Sequence, residues 1–375
     1  MITSDHQATI PDYVVPDYTG ACLSGLIPAL LGPKGTDALP RWFPQRAHHA
    51  RAVVLLVLDG LGYLQWLEHR EYTPSLASCE VVPLTTIAPS TTATALTSLA
   101  TGLSPGEHGI IGYRMDMGTT VMNTLRWGDE NGDLRLRFPP AQVQACPPFL
   151  GASVPVISRA ELEGSGFTQA HLAGVRPMGW RAASSIAVTV KQCLDNGDSF
   201  VYAYYDGVDK IAHERGFGPY YEAELRAADA IVAEIMSVLP SDVVLLVTAD
   251  HGQVMVGDNT LPIAMSVSEH VHHQSGEGRF RWLHAKRGRE EVLCNAARIH
   301  ENVAWVVTRD QVVDEKWFGS RVSNEALRRM GDVALVPFAP VSFDDPADSG
   351  AFPLVCRHGS LTEAEMRIPL FATRG

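Results

Sequence analysis

Three apolar runs stand out along the chain, and each closes on acids: "AVVLLVLDG" (Ala52–Gly60), "SFVYAYYDGVD" (Ser199–Asp209) and "DVVLLVTADHG" (Asp242–Gly252). The runs are continuous rather than alternating, as expected of strands buried on both faces. Between them, "RAASSIAVTVKQCL" and "YYEAELRAADAIVAEIMSVL" place apolar residues at helical spacing. Strands alternating with helices predict an α/β protein with a mainly parallel central sheet covered on both sides. In such sheets ligands bind outside the carboxyl ends of the strands, so the three acid-bearing ends should converge on one edge.

The remaining segments fill in the plan. "CLSGLIPALLG" predicts one helix in an otherwise Pro-rich opening. In "TIAPSTTATALTSLATG" (Thr86–Gly102), Pro89 and Ser90 form a turn and a Ser or Thr caps a helix. Ala95, Leu96, Leu99 and Ala100 line one side of it until Gly102 ends it. From about Val256 to Asp345 the elements become short and mixed. "PLVCRHG" and the terminal "MRIPLFATR" then look like a return to the main sheet. The expected organisation is an N-terminal extension packed on the core (1–50), a catalytic core (51–255 and 346–375) and a small inserted subdomain (256–345).

Composition narrows the function. At 375 residues, 46% hydrophobic and 19% charged, the chain can bury a large core. A net charge of −12 opposes a general grip on a nucleic-acid polymer, yet permits a local metal site that draws in one phosphate group. The six cysteines are scattered without CxxC spacing, which suggests reduced thiols, and no apolar run is long enough to cross a bilayer. The opening "MITSDHQATIPDYVV" lacks the pattern of a secretory leader. Together these features predict a cytoplasmic protein with no membrane partner.

The acids at the strand ends are accompanied by histidines. Asp209 and His213 lie one helical turn apart in "DKIAHERG", Asp250 and His251 are adjacent in "ADHG", and His358 follows in "CRHGSLTEAEM". With Asp59 they make three carboxylates and three imidazoles, a mixed oxygen and nitrogen set suited to Zn²⁺ or Mn²⁺. Arg114, Lys210, Arg215, Arg279 and Arg281 are candidate phosphate contacts, each read first as a surface cation. His270, His272 and His273 read as an exposed loop or strand face, and Trp127 and Trp180 as buried.

The ordered series "VLDG", "PSTTATALTSLATGLSPGEHGI", "DGVDKIAHERGFGP", "TADHG" and "RHGSLTEAEMRIPL" resembles the alkaline phosphatase superfamily, most closely its type I phosphodiesterase and nucleotide pyrophosphatase branch. The resemblance implies a three-layer α/β/α sandwich and two divalent metal ions. One ion would be held by Asp59, Asp250, His251 and the nucleophile's oxygen, the other by Asp209, His213 and His358. Counting back from Thr101 by the family's spacing makes Thr92 the nucleophile, with Thr91 the one-register alternative. Tyr113 stands where the family has an Asn that binds a phosphoryl oxygen, and "ATA" replaces the family's aromatic-Pro-Asn run after the nucleophile. The implied activity is metal-dependent cleavage of phosphodiester or pyrophosphate bonds in a small phosphorylated substrate such as a nucleotide, through a phosphothreonine intermediate. The alternatives are a phosphomonoesterase or phosphonate hydrolase and, behind them, a phosphomutase.

Overall fold

In a computed structural model, which describes residues 11–347 and 353–375, seven strands form one central sheet. Their order across the sheet is Glu80–Thr85, Arg367–Arg374, Val243–Thr248, Ala52–Leu58, Phe200–Tyr205, Pro155–Ile157 and Arg176–Pro177. The leader reading rests on residues 1–15, of which the first ten fall outside the described part. All three apolar runs are strands, and every residue of Ala52–Leu58, Phe200–Tyr205 and Val243–Thr248 is buried. They are central and mutually parallel, with Val57 opposite Thr248 and Leu58 opposite Tyr205, so their carboxyl ends finish level. Helices flank the sheet in a three-layer α/β/α arrangement, including Ile186–Asp195 and the 20-residue Pro219–Val238.

The terminal strand Arg367–Arg374 does enter the main sheet, antiparallel to both of its neighbours. "PLVCRHG" does not. Only Cys356 and Arg357 are extended there, and they pair with Met255 and Val254 in a separate two-stranded ribbon. The apolar Pro-Leu-Val run reads as a strand but is too short to reach the sheet; it carries His358 to the strand ends instead.

A second, antiparallel sheet is built from Val271–Glu277, Phe280–Ala285, Val333–Pro337 and Ala304–Thr308. Its alternating side chains serve two cores: Phe280 and Trp282 join the main one, while Leu283, Val333 and Leu335 pack with Val267, Leu293 and Phe343 in a smaller one. Buried Arg279 fixes this sheet to the C-terminal segment. Its guanidinium grips Glu365 with two bonds of 2.7 and 2.8 Å and donates to the carbonyls of Pro337, Ala339 and Val341. The same carboxylate accepts from Ser360 N–H and the Thr362 hydroxyl, so the loop just after His358 is tied to the second sheet.

The Thr-rich segment folds as the helix Thr92–Thr101, and Gly102 ends it at φ 72°. Its hydroxyls are mostly spent inward: Thr97 and Thr101 donate to carbonyls one turn back, and Ser90 to Ser360 O. Thr91 occupies the N-cap position but its side chain makes no capping bond, which corrects the expectation of a Thr cap.

Ser98 meets His108, buried in the following turn. His108 Nδ1 accepts from Ile110 N–H at 3.1 Å, so its proton lies on Nε2, 2.8 Å from Ser98 Oγ. Burial and the nearby Arg329 hold this imidazole down to about 3. The unfolded chain takes up the proton near the ordinary histidine value of about 6.5 and the native chain does not, so this contribution to stability is lost as pH falls from there toward 3. Unfolding free energies from urea titrations between pH 7 and 4 should fall less steeply for His108→Gln, by up to about 1.4 kcal/mol per pH unit.

Candidate active site

The level strand ends carry the predicted acids into one place. Asp59 follows Leu58 directly, and Gly60 turns the chain at φ 73°. A Cβ at Gly60 would come within 2.4 Å of Gln253 Nε2 and 3.0 Å of the Asp209 side chain, so only glycine fits. Asp209 and His213 sit on the helix Gly207–Arg215, one turn apart as predicted, with Nε2 of His213 3.3 Å from Asp209 Oδ1. Asp250 and His251 follow the Val243–Thr248 strand. His358 arrives from the C-terminal loop, its Nε2 3.9 Å from Asp209 Oδ1 and its ring stacked on that of His251 at 3.6 Å.

Two donor groups result, Asp59–Asp250–His251 and Asp209–His213–His358. In the first group each carboxylate has one oxygen occupied by the protein and one left over. Asp250 Oδ1 accepts from the N–H groups of Gly60 and His251, and Asp59 Oδ2 accepts from the Tyr204 hydroxyl. Asp59 Oδ1 and Asp250 Oδ2 are buried with no partner, each 3.5 Å from His251 Nε2. Two ligands at about 2.0–2.1 Å from one tetrahedral ion lie roughly 3.3–3.4 Å apart, so this spacing suits a shared divalent cation.

The imidazoles are aimed by the main chain. Nδ1 of His251 bonds Gly252 O (3.1 Å), Nδ1 of His213 bonds Cys356 O (2.6 Å) and Nδ1 of His358 bonds Ser90 O (2.9 Å). A carbonyl can only accept, so the ring protons lie on Nδ1 and all three Nε2 lone pairs face the cluster. Electrostatics point the same way. Burial, with Asp250 and Asp209 nearby, holds Asp59 well above the ordinary carboxylate range, and burial also raises Asp209. Burial depresses His251, and burial with the neighbouring His251 and His213 depresses His358. Crowded buried carboxylates beside neutral imidazoles are a charge distribution that a cation would relieve.

Thr92 is the first residue of its helix, and its Oγ1 lies 3.0 Å from His251 Nε2. Beside it opens a cavity of about 230 Å³ whose wall includes Asp59, Thr92, Leu96, Leu125, Phe167, Tyr202, Tyr204 and Lys210. Lys210 is paired with Asp206, which also accepts from Arg159 at 2.9 Å. Tyr113 is half-buried and does not line this cavity; its carbonyl accepts from Thr124 N–H. Arg114 and Arg281 go to Asp345, Arg279 to Glu365 and Arg215 to Glu214, so of the five candidate cations Lys210 alone lines the cavity. Trp127 and Trp180 are buried, as expected.

Sequence reading missed two supports of the cluster. Tyr204 lies on the Phe200–Tyr205 strand, and Gln253 Nε2 donates to Asp209 Oδ1 at 2.9 Å. The strand's two-residue period, which sends Tyr202 and Tyr204 to the same face, was the available signal for Tyr204. Outer-shell partners of ligating groups typically cost 10–100-fold in metal affinity when lost. Tyr204→Phe is accordingly expected to weaken one bound metal by about that factor, read by competition with a chromogenic chelator.

Known proteins share this architecture. The profile of the family described as Type I phosphodiesterase / nucleotide pyrophosphatase matches residues 53–350. No curated protein matches by sequence. Among solved structures, human ectonucleotide pyrophosphatase / phosphodiesterase 5 superposes with a TM-score of 0.66 at 13% identity, covering 86% of this chain and 87% of that one. The murine protein gives 0.63 at 14% with the same coverage, and an inactive threonine-to-alanine variant of it was solved in complex with AMP. Phosphonoacetate hydrolase from Sinorhizobium meliloti 1021, solved with phosphonoacetate, gives 0.62 at 17%, covering 87% of this chain and 91% of that one.

Proposed function

The chain belongs to the type I phosphodiesterase / nucleotide pyrophosphatase family, and from that premise we propose that it cleaves phosphodiester or pyrophosphate bonds in a small phosphorylated molecule, with Thr92 as nucleophile. The observation that carries this reading is the hydroxyl of Thr92 at a helix start, 3.0 Å from His251 Nε2 and beside two partnerless buried carboxylate oxygens. Asp59, Asp250, His251 and the Thr92 oxygen would hold one divalent cation, and Asp209, His213 and His358 the other. We take both to be Zn²⁺, with Mn²⁺ the alternative, on the donor set. When bound, such ions lower the pKa of a coordinated hydroxyl and offset charge on the attacking and leaving oxygens.

The chain's own groups do the rest. Unpaired N–H groups in the first turn of Thr92–Thr101 offer donors to a phosphoryl oxygen. Thr92 Oγ1 attacks phosphorus, the bond to the leaving oxygen breaks, and the resulting phosphothreonine is hydrolysed by water to release phosphate or a phosphomonoester. The leaving group would lie in the cavity against Leu96, Leu125 and Phe167, with Lys210 meeting its charge. Tyr113 as a phosphoryl contact rests on the resemblance alone. The six cysteines are free, which supports a reducing cytoplasm, and no helix among the described residues is long and apolar enough to cross a membrane.

A second reading is phosphonate hydrolysis, favoured by the small cavity and by Lys210 on its wall. A panel of an aryl diester, an aryl monoester, a dinucleotide and phosphonoacetate, assayed with Zn²⁺-loaded protein, separates the two. We expect kcat/KM for the diester to exceed that for the monoester at least about tenfold, a difference of about 1.4 kcal/mol. Preferred turnover of phosphonoacetate would install the second reading, and no turnover of any substrate would remove both.

A further inference from the structure

We propose that Asp116, His273 and His284 form a third divalent-cation site, of zinc type, away from the strand ends. Asp116 ends the first strand of a small antiparallel meander (Arg114–Asp116, Val121–Asn123, Gly128–Asp129, Gly132–Asp133). His273 and His284 are directly opposed on two paired strands of the second sheet. The sequence hid this group. His273 read as part of an exposed histidine cluster, and neither Asp116 nor His284 stands near it in the chain.

The arrangement repeats that of Asp209, His213 and His358, with the same donor types. Nε2 of His273 lies 3.2 Å and Nδ1 of His284 3.5 Å from one oxygen, Asp116 Oδ2. The two imidazoles stack face to face, 4.0 Å apart and 15° from parallel. A charged N–H···O bond runs at about 2.7–2.9 Å, so 3.5 Å is long for one, whereas two ligands on a single tetrahedral zinc sit roughly 3.3–3.4 Å apart.

The other atom of each group is already engaged. Asp116 Oδ1 accepts from Gly118 N–H at 2.7 Å, His284 Nε2 bonds Ser275 Oγ at 2.8 Å, and His273 Nδ1 meets His272 Nδ1 at 2.8 Å. Each residue thus turns one ligand atom inward, His273 Nε2 and Asp116 Oδ2 at hydrogen-bond distance of each other (3.2 Å), and these atoms all lie within 4.8 Å of one another. Three protein ligands leave a fourth position. A cavity of about 590 Å³ that reaches Asp116 and His273, and is also walled by Arg114, Thr120 and Asp345, leaves room there for water. The ion would pin the meander to the second sheet, and the site stands independently of the phosphoryl-transfer reading.

The test is Zn²⁺ content after equilibrium dialysis of the full chain. We expect three ions per chain, falling to two in His273→Gln and in Asp116→Asn, with diester turnover within about twofold of the natural protein. His273 has a side chain 31% exposed, so its replacement should fold even if that of Asp116 does not. The deciding background is Asp59→Asn with Asp209→Asn, which removes ligands from both proposed catalytic ions. One Zn²⁺ retained there and lost on adding His273→Gln supports the site. None retained, or one that survives His273→Gln, overturns it. Should that background fail to fold, the natural protein against His273→Gln decides: a loss of one ion supports the site, and an unchanged count overturns it.

Discussion

Thr92→Ala should lose turnover by more than about 10³-fold while the protein still folds and takes up metal, since removal of a nucleophile is among the costliest single changes in an active site. The fold should survive because Thr92 Oγ1 has His251 as its hydrogen-bond partner and alanine is the best helix former. Thr92→Ser keeps a hydroxyl at the same place and should retain partial activity. Thr91→Ala is the control for register. With no capping bond from its side chain, it should leave turnover nearly intact and cost less than the ~1 kcal/mol typical of a lost cap. Rapid quenching with a diester and peptide mapping should find the phosphoryl group on Thr92. A label on Thr91, or normal turnover in Thr92→Ala, would reject the assignment.

Removal of metal is the second large effect. Dialysis against a strong chelator should abolish turnover, and Zn²⁺ or Mn²⁺ should restore it, because Asp59, Asp209 and Asp250 are buried carboxylates crowded at one place, with Asp250 and Asp209 both raising Asp59. Reloading should also raise the melting temperature, since an ion at 100 times its Kd stabilises the native state by about 2.7 kcal/mol. Asp209→Ala or His358→Ala should empty mainly one catalytic position and leave the ion at Asp59, Asp250 and His251. Metal analysis of these variants checks the partition. Activity untouched by exhaustive chelation would refute the metal-dependent mechanism.

The sequence was most legible where one physical signal dominates. Double-sided burial makes Ala52–Leu58, Phe200–Tyr205 and Val243–Thr248 continuous apolar runs, and acids in three such runs pointed to a common edge. The helical spacing of Asp209 and His213 was readable for the same reason. Strands of two or three residues, such as Pro155–Ile157 and Arg176–Pro177, carry too little periodicity to be seen. "PLVCRHG" misled because three apolar residues fit a loop under a ribbon as well as a strand. Tyr204, Gln253 and the pair His273–His284 depend on contacts between distant segments, which no local pattern encodes.

The three imidazoles proposed to face the catalytic ions are oriented by carbonyls of Gly252, Cys356 and Ser90, not by side chains. Every residue type carries a carbonyl, so this support makes little demand on side-chain identity, Gly252 excepted, where a Cβ would lie 2.0 Å from Ala364 O. Cys356→Ala, for example, keeps the oxygen that holds His213. A lineage could therefore rewrite much of the text around its ligands without disturbing their aim.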